Sequence, residues 1–469
     1  MANQIVIAAT FVVFLVLFIV VGIYSAKHQQ KTTTDYLLAS RNVNPWLIAL
    51  SAMATERSGQ LFIGGVGFTY MLGLSTVWVT VGWVIGDYLA WWFVFRRLRT
   101  LSEASASDTV SSFLGQNQKG GDLTTIVSAL ITIAFLSFYA AAQLIAGSKA
   151  LNAVFGWNYY LGVIVGAVIV VIYCFSGGIR ASIWTDAVQA VLMLGCLLLL
   201  FVAATISGGG LAGLWNQLYE IDPALVSLEP AQLQFGMLPF LISWGVGGFG
   251  VVGQPHIVVR AMAIKSPNSL ILARNIKLAS TIAIATCAIG VGLASRALLP
   301  ELATSGDPEL ALPYLAIDLL PVVLVGMMLA GLFAATISTA DSQILSCSAA
   351  LTQDLFPAMA HSYRYAKLGT LTVTAIILAV ALTGSDNVFR LITFSWSSLA
   401  SGLGPLLVVR SLQQPVSVPV AVAMMGAGIA AALLWNLGLG LSGAVYEVLP
   451  GMAAGTIVYI VAQFRRPAI

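Results

Sequence analysis

Thirteen predominantly apolar runs, most of them about twenty residues or longer, recur along this chain and dictate what it can fold into. They cover approximately 5–26, 45–72, 74–95, 123–152, 158–176, 181–206, 236–263, 268–298, 320–350, 366–384, 387–410, 418–438 and 442–463. A helix rising 1.5 Å per residue needs about 20 residues to cross a bilayer's hydrocarbon. Inside lipid each backbone polar group must find its partner within the fold, so runs of this length predict helices. A barrel would show alternating strands of about ten residues instead. The charged fraction is only 8% and the mean hydropathy +0.94, against roughly 25% charged residues in soluble domains. That excludes a soluble globular protein, a disordered chain and a basic-faced nucleic-acid binder. The longest hydrophilic stretches, 96–122 and 207–234, are too short for a separate domain, so residues 1–469 read as one transmembrane domain. The first run has no basic residue before it and is long enough to span, which argues against a cleaved signal. Cys174, Cys196, Cys287 and Cys347 lie in apolar runs without metal-ligand spacing and read as packing thiols.

Basic residues set the orientation. With thirteen spans and the C-terminus inside, the cytoplasmic loops hold Lys27, Lys31, Arg41, Arg96, Arg97, Arg99, Lys119, Arg180, Arg260, Lys265, Arg274, Lys277, Arg364, Lys367, Arg410, Arg465 and Arg466, which is 17 of the 21 Lys and Arg residues. The expectation is a multi-pass inner (plasma) membrane protein with its N-terminus outside.

Two spans are unusual. The second carries Ala54-Thr55-Glu56-Arg57-Ser58-Gly59-Gln60 in its middle, and the seventh carries five glycines and a proline between Gly245 and Pro255. Both should interrupt a helix. They lie five spans apart and run in opposite directions, so they occupy equivalent places in two inverted five-span repeats. Paired broken helices of this kind mark a transporter's midplane binding site. Glycines for close helix packing would explain either span alone, but they leave Glu56 and Arg57 unexplained.

Several stretches, in order from about residue 35 to 410, resemble the sodium/solute symporter family, in particular its sodium/proline branch. They are Asp35–Arg41, Ala52–Gly59, Gly177–Gln189, Ser243-Trp244-Gly245, Gly253–Ile257, Ile337–Gln343 and Leu351–Leu355. The resemblance implies an all-α, LeuT-type core of ten helices within about thirteen. Residues 5–26 would form a leading helix, 45–206 and 236–410 the inverted repeats, and 418–463 two trailing helices. Three departures touch the presumed site. The pair Glu56-Arg57 stands where the branch usually has Asp-Met, about three extra residues surround Val251-Val252-Gly253, and Gly248 replaces an aromatic residue.

In the ninth span, Ala335, Ser338, Thr339, Ser342 and Ser346 fall on one helix face. Neutral hydroxyls and free carbonyls suit a hard cation, although such hydroxyls also bond their own backbone. The resemblance makes Ser338 and Thr339 sodium ligands, with main-chain carbonyls from Ala54, Arg57 and Ala335. A second sodium site is expected at Asp186, Asp341 and Ser342. The competing reading of Asp186 is a near-interface carboxylate paired with Arg180. Glu56, Arg57, Ser58, Gly59, Gln60, Tyr139, Gln143, Trp244 and Phe249 are the candidate solute contacts. Arg57 could grip a carboxylate bidentately, or pair structurally with Asp186 or Asp87. His256 and His361 receive no role.

The expected function is sodium-coupled symport of a small zwitterionic or carboxylate solute, with proline or a related amino acid first among the candidates. Its partners are then that solute, Na+ and the bilayer, not nucleic acid. A proton-coupled or sodium-independent transporter of another small organic solute, or a transporter-like sensor, stays open. No HExxH or GxSxG motif and no paired intramembrane histidines point to an enzyme.

Overall fold

The computed structural model describes residues 2–27, 30, 32–116, 120, 122–230, 233–360, 362–383 and 387–464. Lys31, Lys119, His361, Arg465 and Arg466 lie outside the described residues, as does the Cys174 side chain. We number α1 to α13 the helices that fall on the thirteen apolar runs. α1 is Ala2–Ala26; α2 is broken into Pro45–Glu56 and Val66–Leu72; α3 is Val77–Phe93; α4 is Asp122–Phe155. α5 covers 159–177 and α6 Gly178–Ser207. α7 is broken into Met237–Phe249 and Pro255–Ala263; α8 is Ser269–Leu298; α9 is Val322–Ala349; α10 is Tyr363–Thr383. α11 is Val388–Ser411, α12 Val418–Leu433 and α13 Val448–Phe464. Among the described residues, nine helices are long and apolar enough to cross a membrane, or ten with the bent α7 counted as one span.

Local chemistry sets several of the helix starts. Asn44 accepts a hydrogen bond from the Trp46 amide, with Pro45 at the first helical position of α2. Asn158 does the same for the Tyr160 amide at the start of α5. The chain between α5 and α6 stays helical except at Gly178 (φ 59°, ψ −151°). A Cβ there would sit 2.5 Å from the Tyr36 carbonyl oxygen, so only glycine fits this corner.

Burial grades the bundle from centre to rim. The most apolar windows of α11 and α9 are 83% and 78% buried, against 22% for α1 and 28% for α12. α9, which carries the candidate ion ligands, is therefore central, while α1 and α12 face lipid. One contact is unusually close. A Cβ on Gly86 of α3 would lie 1.8 Å from the Gly245 carbonyl oxygen of α7, and one on Gly248 would lie 2.0 Å from the Trp83 carbonyl oxygen. The two backbones touch there, as small residues allow. Gly86 and Gly248 are thus packing glycines within their helices, whereas a Cβ on Gly245 would meet nothing nearer than 3.8 Å. The interruption of α7 comes later, at Gly250–Gly253 and the extended Gln254, where the axis bends by 62°.

Two basic residues assigned to loops lie elsewhere. Arg260 is in the second half of α7 and fully buried, and Lys277 is two turns into α8 and 1% exposed. Each compensates carboxylates from distant parts of the chain.

Candidate ion and solute site

α2 breaks at Arg57, whose ψ of 63° leaves the helical region. The Ser58 hydroxyl then accepts from the Gln60 amide (3.1 Å), a local bond that competes with helix continuation. The Gly59 amide donates to Gln143 Oε1 of α4 (3.0 Å), and a π-helical turn at Gln60–Gly65 leads into the second half. The first half packs on α9 and on the second half of α7.

At that junction neutral oxygens converge. Ser338 Oγ donates to the carbonyls of Ala54 (3.4 Å) and Ala335 (3.2 Å). Thr339 Oγ1 donates to those of Thr55 (2.9 Å) and Ala335 (3.2 Å). All of these residues are fully buried. Four of the five residues expected around sodium therefore meet. The Thr55 carbonyl, which the sequence reading missed, joins them, whereas neither α9 hydroxyl donates to the Arg57 carbonyl.

The expected second site holds a guanidinium. Arg260 donates from Nη2 to Asp186 Oδ2 (2.8 Å) and Ser342 Oγ (2.5 Å), from Nε to Ser51 Oγ (2.7 Å), and to the His256 carbonyl. Asp341 Oδ1 accepts from Ser182 (3.1 Å) and Ser342 (2.9 Å). Asp186 is fully buried, so it is not a solvated near-interface carboxylate. The pairings expected for it are also corrected. Arg180 binds Asp35 Oδ1 (2.5 Å) instead, and the Arg57 guanidinium lies beside Glu56 and Trp83.

A third cluster surrounds Glu56. Lys277 pairs with both Glu56 and Asp87, and Trp83 Nε1 donates to Glu56 Oε1 (2.8 Å). Arg57 Nη2 comes only within 3.5 Å of Glu56, and its guanidinium carbon sits 5.9 Å from the Trp83 ring centre. Arg57 Nε and Nη2 are buried and make no hydrogen bond among the described residues. Tyr139 Oη, Gln143 Nε2 and both ring nitrogens of His256 are in the same position, with the Tyr139 and His256 rings edge to face at 5.5 Å. Trp244 stacks on Tyr446 (4.5 Å) at the wall of a cavity of about 570 Å³. Phe249 is half-buried on α7 and lines neither this cavity nor the smaller one at Arg57.

Residues 36–428 match the sodium:solute symporter family. The chain belongs to that family. The symporter is 31% identical to the high-affinity proline transporter PutP of Bacillus subtilis (strain 168) over 446 residues, covering 92% of this chain and 93% of the relative. It is 30% identical to the sodium/proline symporter of Escherichia coli (strain K12), covering 96% and 91%. Among solved structures, a Na+-coupled sialic acid symporter in a substrate-bound outward-open state superposes with a TM-score of 0.82 at 17% identity, covering 99% of each chain. MhsT in complex with L-phenylalanine gives 0.54 at 14% identity, covering 89% of this chain and 97% of that one. The symporter has the LeuT-type all-α fold and is a multi-pass membrane protein, with sodium as its coupling ion.

Proposed function

We propose that this chain imports a small carboxylate-bearing solute, with proline the first candidate, driven by sodium bound between α2 and α9. The observation that carries the reading is the meeting of the Ser338 and Thr339 hydroxyls with the Ala54, Thr55 and Ala335 carbonyls at the break of α2. The hydroxyls can rotate to turn their lone pairs toward an ion. Neutral oxygens then solvate Na+ without holding it too tightly to release. The ion would tie broken α2 to central α9 in the state that receives solute. Its departure would free them and make inward release follow sodium release. One ion is enough: 100 mV contributes about 2.3 kcal/mol and a tenfold gradient about 1.4, together a several-hundred-fold accumulation.

Solute would enter through the cavity beside Trp244, with its carboxylate at Arg57 and with Ser58, Gly59, Gln60, Tyr139 and Gln143 around the break. The identity of the proline transporters among the relatives supports proline. Arg260 would supply the fixed cation at Asp186, Asp341 and Ser342, giving one sodium per cycle. The ends of the helices that carry Arg41, Arg99 and Arg180 would face the cytoplasm, with the N-terminus outside. Labelled proline uptake into proteoliposomes tests the transport reading: accumulation should require an inward sodium gradient, and accumulation driven equally by a proton gradient without sodium would refute it. Orientation is tested with a membrane-impermeant thiol reagent on whole cells, which should label Leu439→Cys and spare Gln413→Cys.

A further inference from the structure

The carboxylate at the break of α2 is already committed. Glu56 is bound by Lys277 and by the Trp83 indole, and Lys277 also takes up Asp87. Two acids and one lysine leave one excess negative charge, which Arg57 balances from 3.5 Å without a hydrogen bond to either acid. Arg57 thus keeps hydrogen-bonding capacity that no described residue uses. A guanidinium with two idle, buried nitrogens is a ready pair of donors to a carboxylate that accepts bidentately.

The space it faces has matching chemistry. Arg57 lines a cavity of about 50 Å³ with Gln60, Phe68, Trp83, Ile289 and Phe389 among its other walls. Among the described residues of that lining, Arg57 is the only charged one. Phe68, Thr76, Val79 and Phe389 also line the cavity of about 570 Å³ beyond, so the two adjoin, with the stacked Phe68–Phe389 pair (4.7 Å) between them. A solute arriving there meets one fixed cation, aromatic and aliphatic walls interrupted by Gln60, Thr69, Thr76 and Thr80, and no acid released from its own partner.

We propose that Arg57 reads the solute's carboxylate, that the solute's amino group contributes little to binding, and that Lys277 makes this possible by holding Glu56 away from both. Lys277 is in this scheme a positioning residue: it touches no solute and acts through Glu56. The chemical class is a small monocarboxylate with an apolar body, to which proline belongs by its carboxylate and ring. The inference rests on the transport reading above only in placing solute at the break of α2.

The test is sodium-dependent binding to the purified full-length protein, measured by thermal stabilisation, with three probes: L-proline, cyclopentanecarboxylate and L-prolinamide. Cyclopentanecarboxylate should bind within about tenfold of proline, and prolinamide more than about tenfold more weakly, since a hydrogen bond to a charged group is worth about a factor of ten or more. Binding of proline with cyclopentanecarboxylate over a hundredfold weaker would overturn the inference and leave sodium-coupled proline symport standing. Binding of cyclopentanecarboxylate without proline would reject proline as the solute and keep the inference. Binding of neither would overturn both. Lys277→Met adds a readout that a purely structural role would not move. With Lys277 gone, Glu56 is free for Arg57 and for an ammonium, so the proline-to-cyclopentanecarboxylate affinity ratio should shift at least about tenfold toward proline. Equal losses for the two would refute the positioning role.

Discussion

Replacing Arg260 with methionine separates a guanidinium that serves as a fixed cation from one that merely fills space. Arg260 is fully buried and donates to Asp186, Ser51, Ser342 and the His256 carbonyl. Methionine replaces much of the aliphatic stem, so the packing loss is small. What remains is Asp186 buried without its cation, with Asp341 beside Ser182 and Ser342 close by. Removing one partner of a buried pair costs about 3–5 kcal/mol. The vacated space is then ringed by two carboxylates and the hydroxyls of Ser51, Ser182 and Ser342, a ligand set suited to a hard cation. Sodium at a hundred times its dissociation constant would return about 2.7 kcal/mol. Thermal unfolding of the purified protein, followed by tryptophan fluorescence in choline and in sodium, reads both quantities. Arg260→Met should be much less stable than the parent in choline, should regain over half of the loss in saturating sodium, and should show the steeper sodium dependence. Adding Asp186→Asn should abolish that extra dependence and restore part of the choline stability, a non-additive pair. A variant as stable as the parent in choline, or one whose loss is the same in both salts, would refute the fixed-cation assignment.

Three further outcomes follow from other contacts. Thr339→Ala removes one oxygen from the α2–α9 cluster and should raise the sodium concentration for half-maximal uptake about tenfold, at the cost of roughly one hydrogen bond to a charged partner; unchanged sodium dependence would remove Thr339 from the site. Gly86→Ala would force a methyl to within 1.8 Å of a backbone oxygen, so stability measured by thermal unfolding should fall by about 3 kcal/mol or more. Asp108 lies in the connection between α3 and α4, where burial pushes its carboxyl above the usual value. A raised folded value means that ionisation costs stability above that value and nothing well below the unfolded value of about 3.9. Asp108→Asn should therefore stabilise the protein by up to ~1 kcal/mol near pH 7, and the gain should vanish by about pH 3 in unfolding curves.

Hydropathy made the helices legible because lipid allows a long apolar run no other structure. The first helix break was legible as well, since Glu56 and Arg57 have no reason to sit in a packing helix. The partners of those charges were not. Lys277 and Arg260 lie close to the ends of their apolar runs, where counting basic residues treats them as loop anchors. Only the fold shows that α8 brings Lys277 to Asp87, 190 residues away, and that α7 brings Arg260 to Asp186, 74 residues away. The glycines of α7 held two signals in one string. Gly248 serves close packing against α3, while Gly250 and Gly253 lie at the bend and pack against Ala400 and Leu399 of α11, and composition alone does not divide them. Resemblance pointed to Ser338, Thr339, Ala54 and Ala335, which do meet, yet the Thr55 carbonyl that accepts from Thr339 escaped because any residue supplies a carbonyl and its side chain carries no trace of the contact.

The backbone contact between α3 and α7 bears on how this molecule can move. Gly86 and Trp83 come from the first half of the chain, Gly245 and Gly248 from the second, and no side chain separates them to act as a bearing. Sliding one helix along the other would drive Cβ atoms of neighbouring residues into main-chain atoms, so the pair has to travel as a single stiff unit. The boundary between moving and stationary parts therefore does not coincide with the boundary between the two halves of the sequence. It must cut through each half, and the flexing points belong at places such as the Arg57 break and the Gln254 bend, where the chain has already given up its helix.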